Sequence, residues 1–187
     1  MFSRFLLTVL VLALALFSFA DSRADSSPPT DLIKVEVADL IPDGKDRTVM
    51  LVLRPERAAV ERMAIARNRV LPLVIGTEEA RSIYVAFYKH IAPRPLSHDL
   101  MNKIIGEYGG KVASVVISRM EQNVFYAELR IKRDGREIAL DCRPSDAIAL
   151  ALRTNAPVYV HRLVMQQEGV DPNNPEKRQN TEKTLKT

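Results

Sequence analysis

The chain has 187 residues, of which 47% are hydrophobic, and 27 Lys and Arg face 23 Asp and Glu. That composition excludes an intrinsically disordered chain, a coiled coil, a collagen and a polytopic membrane protein, and the near-balance of charge argues against a strongly basic nucleic-acid coat. One domain is the natural count for this length.

At the N-terminus, Arg4 precedes an apolar run from Phe5 to Phe17 that only Thr8 interrupts. Small residues follow, with Ser18 and Ala20, or Ser22 and Ala24, placed for cleavage. This order predicts a signal peptide over 1–20, cut after Ala20 or Ala24. The run is shorter than the roughly 20 apolar residues of a spanning helix. The expected product is exported, periplasmic or secreted, with no stable membrane association after cleavage. Removing the first twenty residues takes away one charge, Arg4, and lowers the net charge from +4 to +3. Residues 21–30 are polar and proline-bearing and read as a linker. The folded domain is expected over 31–167, and the polar stretch 168–187 reads as a disordered tail. Cys142 is the sole cysteine, so no intramolecular disulfide is available. It reads as a small buried hydrophobe rather than a reactive thiolate.

Within the domain, alternation predicts strands at Leu32–Leu40 and Thr48–Leu53, joined through Pro42-Asp43-Gly44. A helical stripe (Ala59, Val60, Met63, Ala64) marks Pro55–Asn68. Val70–Ile75 is a strand whose Pro72 points to a sheet edge or a bulge. Thr77 is the expected N-cap of a helix running to about His90, with Glu78 and Glu79 in its first turn. Pro93-Arg94-Pro95 forces an extended connector. Ser97 is expected to cap the next helix, which Gly109-Gly110 stops after Tyr108. Strands follow at Lys111–Arg119, Val124–Lys132 and Glu137–Cys142, the last two joined by an Asp134-Gly135 hairpin. Ser145 is expected to cap a helix over Asp146–Thr154 that Asn155 ends, before a last strand at Ala156–His161. Hairpins predominate, so the predicted class is α+β: a mixed, mainly antiparallel sheet with three or four helices in one compact domain.

Two polar clusters are candidates for chemistry. Ala147 to Leu152 is apolar on every face and should be buried all round, yet Asp141, Arg143, Ser145 and Asp146 gather at its start. Carboxylates there suit a divalent cation, and Arg143 with free helix N–H groups suits a phosphate. The second cluster is Arg94 to Asp99, where His98 suits a general base and Arg94 a phosphate clamp. The bland alternative is that these residues cap helices and pair with one another. The sequence has no Gly-rich phosphate loop, GxSxG elbow, HExxH or Cys/His zinc spacing. With only His90, His98 and His161 present, any metal would be held mainly by oxygen, as Mg, Mn or Ca.

The segments RVLPLVIGTEEARSI, PRPLSHDL and FYAELRIKRDGREIALDCRPSDAIALALRTNAPVYV resemble the bifunctional nuclease domain family over about Asp31 to Met165. The resemblance implies a compact, self-associating α+β domain, with DNase and RNase activity attributed to some members. Its polar motif residues match Glu79, Arg94, His98, Asp99, Asp141, Arg143, Ser145 and Asp146 here. The Pro55–Asn68 segment is longer than the usual link, and the secretory signal is atypical. The leading expectation is a metal-assisted phosphodiesterase on DNA or RNA. Catalytic roles fall to His98, Asp99, Asp141 and Asp146, phosphate contacts to Arg94, Arg143 and Ser145, and metal ligation to Glu79, Asp141 and Asp146. The rival is a non-catalytic oligomeric scaffold or anion-binding module in which the motif charges are structural. A weaker idea is a nucleic-acid binder using Arg54, Arg57, Arg62, Arg67 and Arg69, although a solvated helix face explains those arginines equally well.

Overall fold

Alternation of apolar and polar residues decides which face of each strand is covered. In Thr48–Pro55 (β2), Val49, Leu51 and Leu53 are buried while their neighbours are not, and in Leu71–Gly76 (β3) the same holds for Leu71, Leu73 and Ile75. The computed structural model describes residues 31–43, 47–63 and 68–173. The expected signal peptide over 1–20, the expected linker over 21–30, Gly44 of the predicted turn and the residues beyond 173 lie outside the described residues.

The remaining strands are Leu32–Asp43 (β1), Lys111–Glu121 (β4), Val124–Arg133 (β5), Arg136–Cys142 (β6) and Val158–His161 (β7). They form a seven-stranded sheet in the order β3-β2-β1-β7-β4-β5-β6. Every neighbouring pair is antiparallel except β4 with β7. The mixed α+β class is therefore as expected. β3 is an edge strand, which accounts for Pro72, since a proline has no N–H to give a second neighbour. The β5–β6 hairpin turns through Asp134 and Gly135, both at positive φ (49° and 75°), as this turn type requires. Gln122 and Asn123 turn β4 into β5 in the same way, at φ 50° and 63°, without a glycine.

Five helices are present among the described residues: Arg57–Met63 (α1), Thr77–Phe87 (α2), Ser97–Glu107 (α3), Pro144–Thr154 (α4) and Arg162–Glu168 (α5). None is long and apolar enough to cross a membrane. α1 begins later than the predicted segment, because Pro55 ends β2 instead of opening the helix, and residues 64–67 of that segment lie outside the described residues. α5 was not expected. Val164 and Met165 bury themselves, the His161 ring accepts the Leu163 N–H, and the Arg69 guanidinium reaches the Met165 and Gln166 carbonyls. Beyond it, Val170 pairs with Val70, so residues 168–173 join the fold and the expected boundary at 167 moves outward.

The expected caps differ in detail. α2 begins after Gly76, α3 after Leu96 and α4 after Arg143, so Thr77, Ser97 and Ser145 lie inside their helices. Leucine offers no acceptor, and in α3 the capping bond runs backwards, with the Asp99 carboxylate accepting the Leu96 N–H at 2.7 Å. In α4, Pro144 takes the first helical position, where a missing N–H costs nothing.

α4 is the axle of the molecule. Ala147, Ile148, Ala149, Leu150 and Ala151 are all buried, with α2 and α3 on one side and β4 and β5 on the other. An all-apolar helix has nowhere else to go. Ile148 is fully buried, so Ile148→Ala is expected to cost about 2–5 kcal/mol, through lost burial and the cavity left behind. Urea denaturation measures this, and a loss under about 1 kcal/mol would contradict the assigned packing.

Candidate functional site

Burying α4 brings its polar N-terminus against α2 and the start of α3. Asp146, in the first turn of α4, accepts a bond from His98 Nε2 at 3.1 Å. His98 Nδ1 lies 2.8 Å from Ser82 Oγ on α2. Both His98 and Ser82 are buried. Arg143 donates from Nε to Asp146 Oδ2 at 2.8 Å, from Nη2 to Oδ1 at 3.1 Å, and from Nη1 to Glu79 Oε1 at 2.7 Å. The result is one chain of contacts, Ser82–His98–Asp146–Arg143–Glu79, along a cleft of about 280 Å³.

Gly76 makes room for its outer end. A Cβ at that position would crowd Glu79 Oε2, so a larger residue there would shift the carboxylate from the position in which Oε1 meets Arg143.

The electrostatics follow from these bonds. Burial works to raise the Asp146 pKa, but hydrogen bonds from Arg143 and His98 outweigh it and hold the carboxyl below its usual range. Because ionised Asp146 can only accept, Nε2 of His98 carries the hydrogen. In the tautomer with one ring hydrogen, Nδ1 is then left to accept from Ser82. The Asp146 bonds raise the Arg143 pKa further, so its charge is permanent, and its side chain remains largely exposed to the cleft.

A depressed folded-state pKa stabilises the protein above the unfolded carboxylate value, and that contribution disappears as pH falls through the folded one. Asp99 shifts the same way: burial opposes ionisation, while Arg153 and the Leu96 N–H outweigh it. Stability is therefore expected to fall on acidification from roughly pH 4 downward, with a shallower fall in Asp146→Asn. Denaturant midpoints across that range check the slope, and parallel curves would overturn it.

The predicted site residues separate into groups. His98, Arg143, Asp146 and Glu79 come together in the cleft. Ser145 is buried in the first turn of α4, outside the cleft lining. Asp141 is exposed near the end of β6, opposite Glu128 in register, and among the described residues it has no hydrogen bond or ion pair with the cluster. Arg94 and Asp99 line a different cavity, where Asp99 is bonded to Arg153 Nε. Cys142 is half-buried with its thiol near the Ala127 carbonyl, and burial pushes its pKa up to about 11, so it is no thiolate.

The set expected for a metal, Glu79, Asp141 and Asp146, does not fit one. The cation between Glu79 and Asp146 is the Arg143 guanidinium, and Asp141 has no bond with either. Among the described residues no three His, Cys, Asp or Glu side chains are grouped at metal-holding spacing.

Sequence reasoning missed Ser82 and Arg153. Ser82 is three residues beyond Glu79 on the same helix, hence on the same face, between the buried Ala80 and Ile83. Arg153 is the first charge after an otherwise apolar stretch of α4. Both signals exist, but neither says what the side chain will meet.

The model of the bifunctional nuclease domain matches residues 63–173, more than half of the chain and the part that carries the whole cluster. An uncharacterized protein of Mycobacterium tuberculosis is 38% identical over 103 residues, 55% of this chain and 61% of that protein. Bifunctional nuclease 2 of Oryza sativa subsp. japonica is 31% identical over 120 residues, 62% of this chain and 37% of its own length. Bifunctional nuclease 1 of the same rice is 28% identical over 119 residues, 62% of this chain and 36% of its own. The chain thus spans about three-fifths of the mycobacterial relative and about a third of the plant ones. On the match over 63–173, this protein belongs to the bifunctional nuclease domain family.

Proposed function

We propose that the protein hydrolyses phosphodiester bonds of DNA or RNA in the cleft at the start of α4. The observation that carries this reading is the imidazole of His98 held between ionised Asp146 and the Ser82 hydroxyl, beside an exposed Arg143, within a domain of this family. Arg143 offers a planar fork to the phosphate oxygens and neutralises charge that develops on them. Asp146 fixes the tautomer of His98. Since both ring nitrogens are engaged, the proton His98 can take is that of Ser82 Oγ, or of a water that replaces this hydroxyl as the Nδ1 partner. General-base help of this kind supplies about 10²–10⁴-fold, so electrostatic stabilisation by Arg143 must supply much of the remainder. No step is routed through a divalent metal, because Glu79 and Asp146 are turned onto Arg143.

One observation favours the non-catalytic alternative: the motif charges pair internally, Arg143 with Glu79 and Asp146, and Arg153 with Asp99. An open cleft at the cluster favours the enzyme. The experiment that separates them is degradation of plasmid DNA and of RNA by the purified protein, with and without EDTA, beside His98→Ala. The wild type is expected to degrade at least one substrate in EDTA, and His98→Ala to lose that activity while keeping its circular dichroism. Equal activity in both proteins would reveal a contaminating nuclease, and inactivity on both substrates across a range of metals would overturn the nuclease reading. Loss of activity in EDTA alone would overturn only the metal-free step.

We also infer export, supported by the order of residues 1–20, and self-association, supported by exposed apolar side chains on α2 and α3 and just beyond them (Tyr84, Tyr88, Ile91, Leu100, Ile104, Tyr108). Cell fractionation that finds the uncut chain in the cytoplasm would overturn the first. A monomer at every concentration in sedimentation equilibrium would overturn the second.

A further inference from the structure

A second cavity, of about 520 Å³, opens near the C-terminal ends of α2 and α4. Its charged lining consists of Lys89, Arg94 and Arg153 with a single acid, Asp99, and His90 stands beside them. None of the catalytic groups of the His98 cleft is part of its lining.

Two independent observations mark it as built for an anion. The cations exceed what the fold needs. Among the described residues Lys89 and Arg94 make no ion pair, and the helix ends beside them are already closed. Backbone donors at Tyr88, Lys89 and His90 take the carbonyls of Tyr84, Ala86 and Val85, and the Ala156 N–H and Thr154 Oγ1 take those of Ala151 and Leu150. Side-chain cations are therefore not required there as caps.

The second observation is Arg153. Its side chain is 7% exposed. Nε donates to Asp99 Oδ1, and Nη1 to the Ser82 and Ala149 carbonyls, while Nη2 is buried without a hydrogen-bond partner. Neither Asp99 oxygen reaches it, Oδ1 accepting from Nε and Oδ2 from the Leu96 N–H. Arg153 thus brings to the cavity wall a guanidinium whose only charged partner is Asp99.

Lys89, Arg94 and Arg153 against Asp99 give the lining a formal charge of +2, histidine left out of the count. That matches the dianion of a phosphate monoester better than the single charge of a phosphodiester. The remaining walls include Val85, Ala86, Ala92 and Leu152, apolar surface suited to an organic body. The volume falls within the roughly 300–1,000 Å³ of small-molecule pockets. We propose that this cavity binds a phosphate monoester bearing a nucleoside-sized group, with Lys89 and Arg94 clamping the phosphate and the Arg153 guanidinium adding positive charge to the wall. The site does not depend on the chemistry of the His98 cleft, so its test requires no hydrolysis.

The test is isothermal titration of the full chain with AMP, adenosine and inorganic phosphate. AMP is expected to bind, adenosine at least about tenfold more weakly, and Arg94→Gln and Lys89→Gln each to weaken AMP by about tenfold, the loss of one charged hydrogen bond. Thermal melts confirm that the variants fold, and Lys111→Gln, a basic change on β4, controls for general charge. A short oligonucleotide with and without a 5′-phosphate separates the two sources of the group. Tighter binding of the phosphorylated strand assigns the pocket to strand ends, and binding of AMP alone assigns it to free nucleotides. The proposal is overturned by absent AMP binding, by adenosine binding as well as AMP, or by unchanged affinity in both pocket variants. It is equally overturned if Arg143→Gln rather than Arg94→Gln abolishes binding, since the ligand would then occupy the His98 cleft.

Discussion

Asp146→Asn is expected to lower nucleic-acid hydrolysis by about 10²–10⁴-fold, the range associated with a positioned acid–base group. The substitution is nearly isosteric, but it changes what the position can do for its neighbours. The carboxylate accepts from His98 Nε2 and twice from Arg143. An amide provides one acceptor oxygen and two N–H donors, so it cannot serve all three bonds. It also permits the other tautomer of His98, with the hydrogen on Nδ1, which can no longer accept from Ser82. The same change releases the Arg143 guanidinium from the plane in which the carboxylate holds it. Single-turnover cleavage of a labelled strand gives the chemical step directly, and a denaturation curve shows that the fold is kept. A rate within about twofold of wild type would remove Asp146 from the mechanism, since no positioned acid–base group is worth so little.

The second large effect is on stability. Arg153→Ala is expected to cost about 2 kcal/mol, because it removes a buried guanidinium with its bonds to two carbonyls, while water screens the half-exposed Asp99 left behind. The guanidinium joins three helices: Asp99 of α3, the Ser82 carbonyl of α2 and the Ala149 carbonyl of its own helix. Removing it leaves the Asp99 charge to water and the Leu96 N–H, and costs one interhelical tie. Arg153→Met keeps most of the apolar stem and is expected to recover part of the loss, which separates packing from charge. Chemical denaturation of both variants gives the two numbers. A loss under about 1 kcal/mol in Arg153→Ala would show that the bonds to the two carbonyls contribute little.

Much of the fold was legible because it rests on short-range patterns. Period-two alternation marked the strands, Asp134-Gly135 the hairpin, and Pro72 an edge position. The unbroken apolar character of Ala147 to Leu152 marked a helix enclosed on all sides. Errors arose where a local rule had competitors. Thr77, Ser97 and Ser145 are good capping residues, yet Gly76, Leu96 and Arg143 hold those positions, because a proline at the first turn of α4 and an acid at the third residue of α3 decide where those helices begin. α5 escaped because seven residues with only two buried apolar side chains show little periodicity.

The site was legible as a set of residue types and illegible as a set of partners. The chain order puts Arg94, His98 and Asp99 within six positions, and a reader of the sequence groups them. On a helix, adjacent residues point about 100° apart, so His98 and Asp99 leave α3 in different directions. His98 meets Asp146 in one cavity, and Asp99 meets Arg153 beside the other. By itself, the sequence determined an α+β domain of this family, its strands, its buried central helix and the residue types available for phosphate chemistry, since each is written in local pattern or motif. Only the tertiary structure decided that Ser82 completes the contact chain, that Arg143 sits where a metal was expected, and that Arg94 belongs to a separate cationic cavity. Those outcomes depend on which faces of α2, α3 and α4 meet, and that is fixed by burial across the whole core rather than by spacing along the chain.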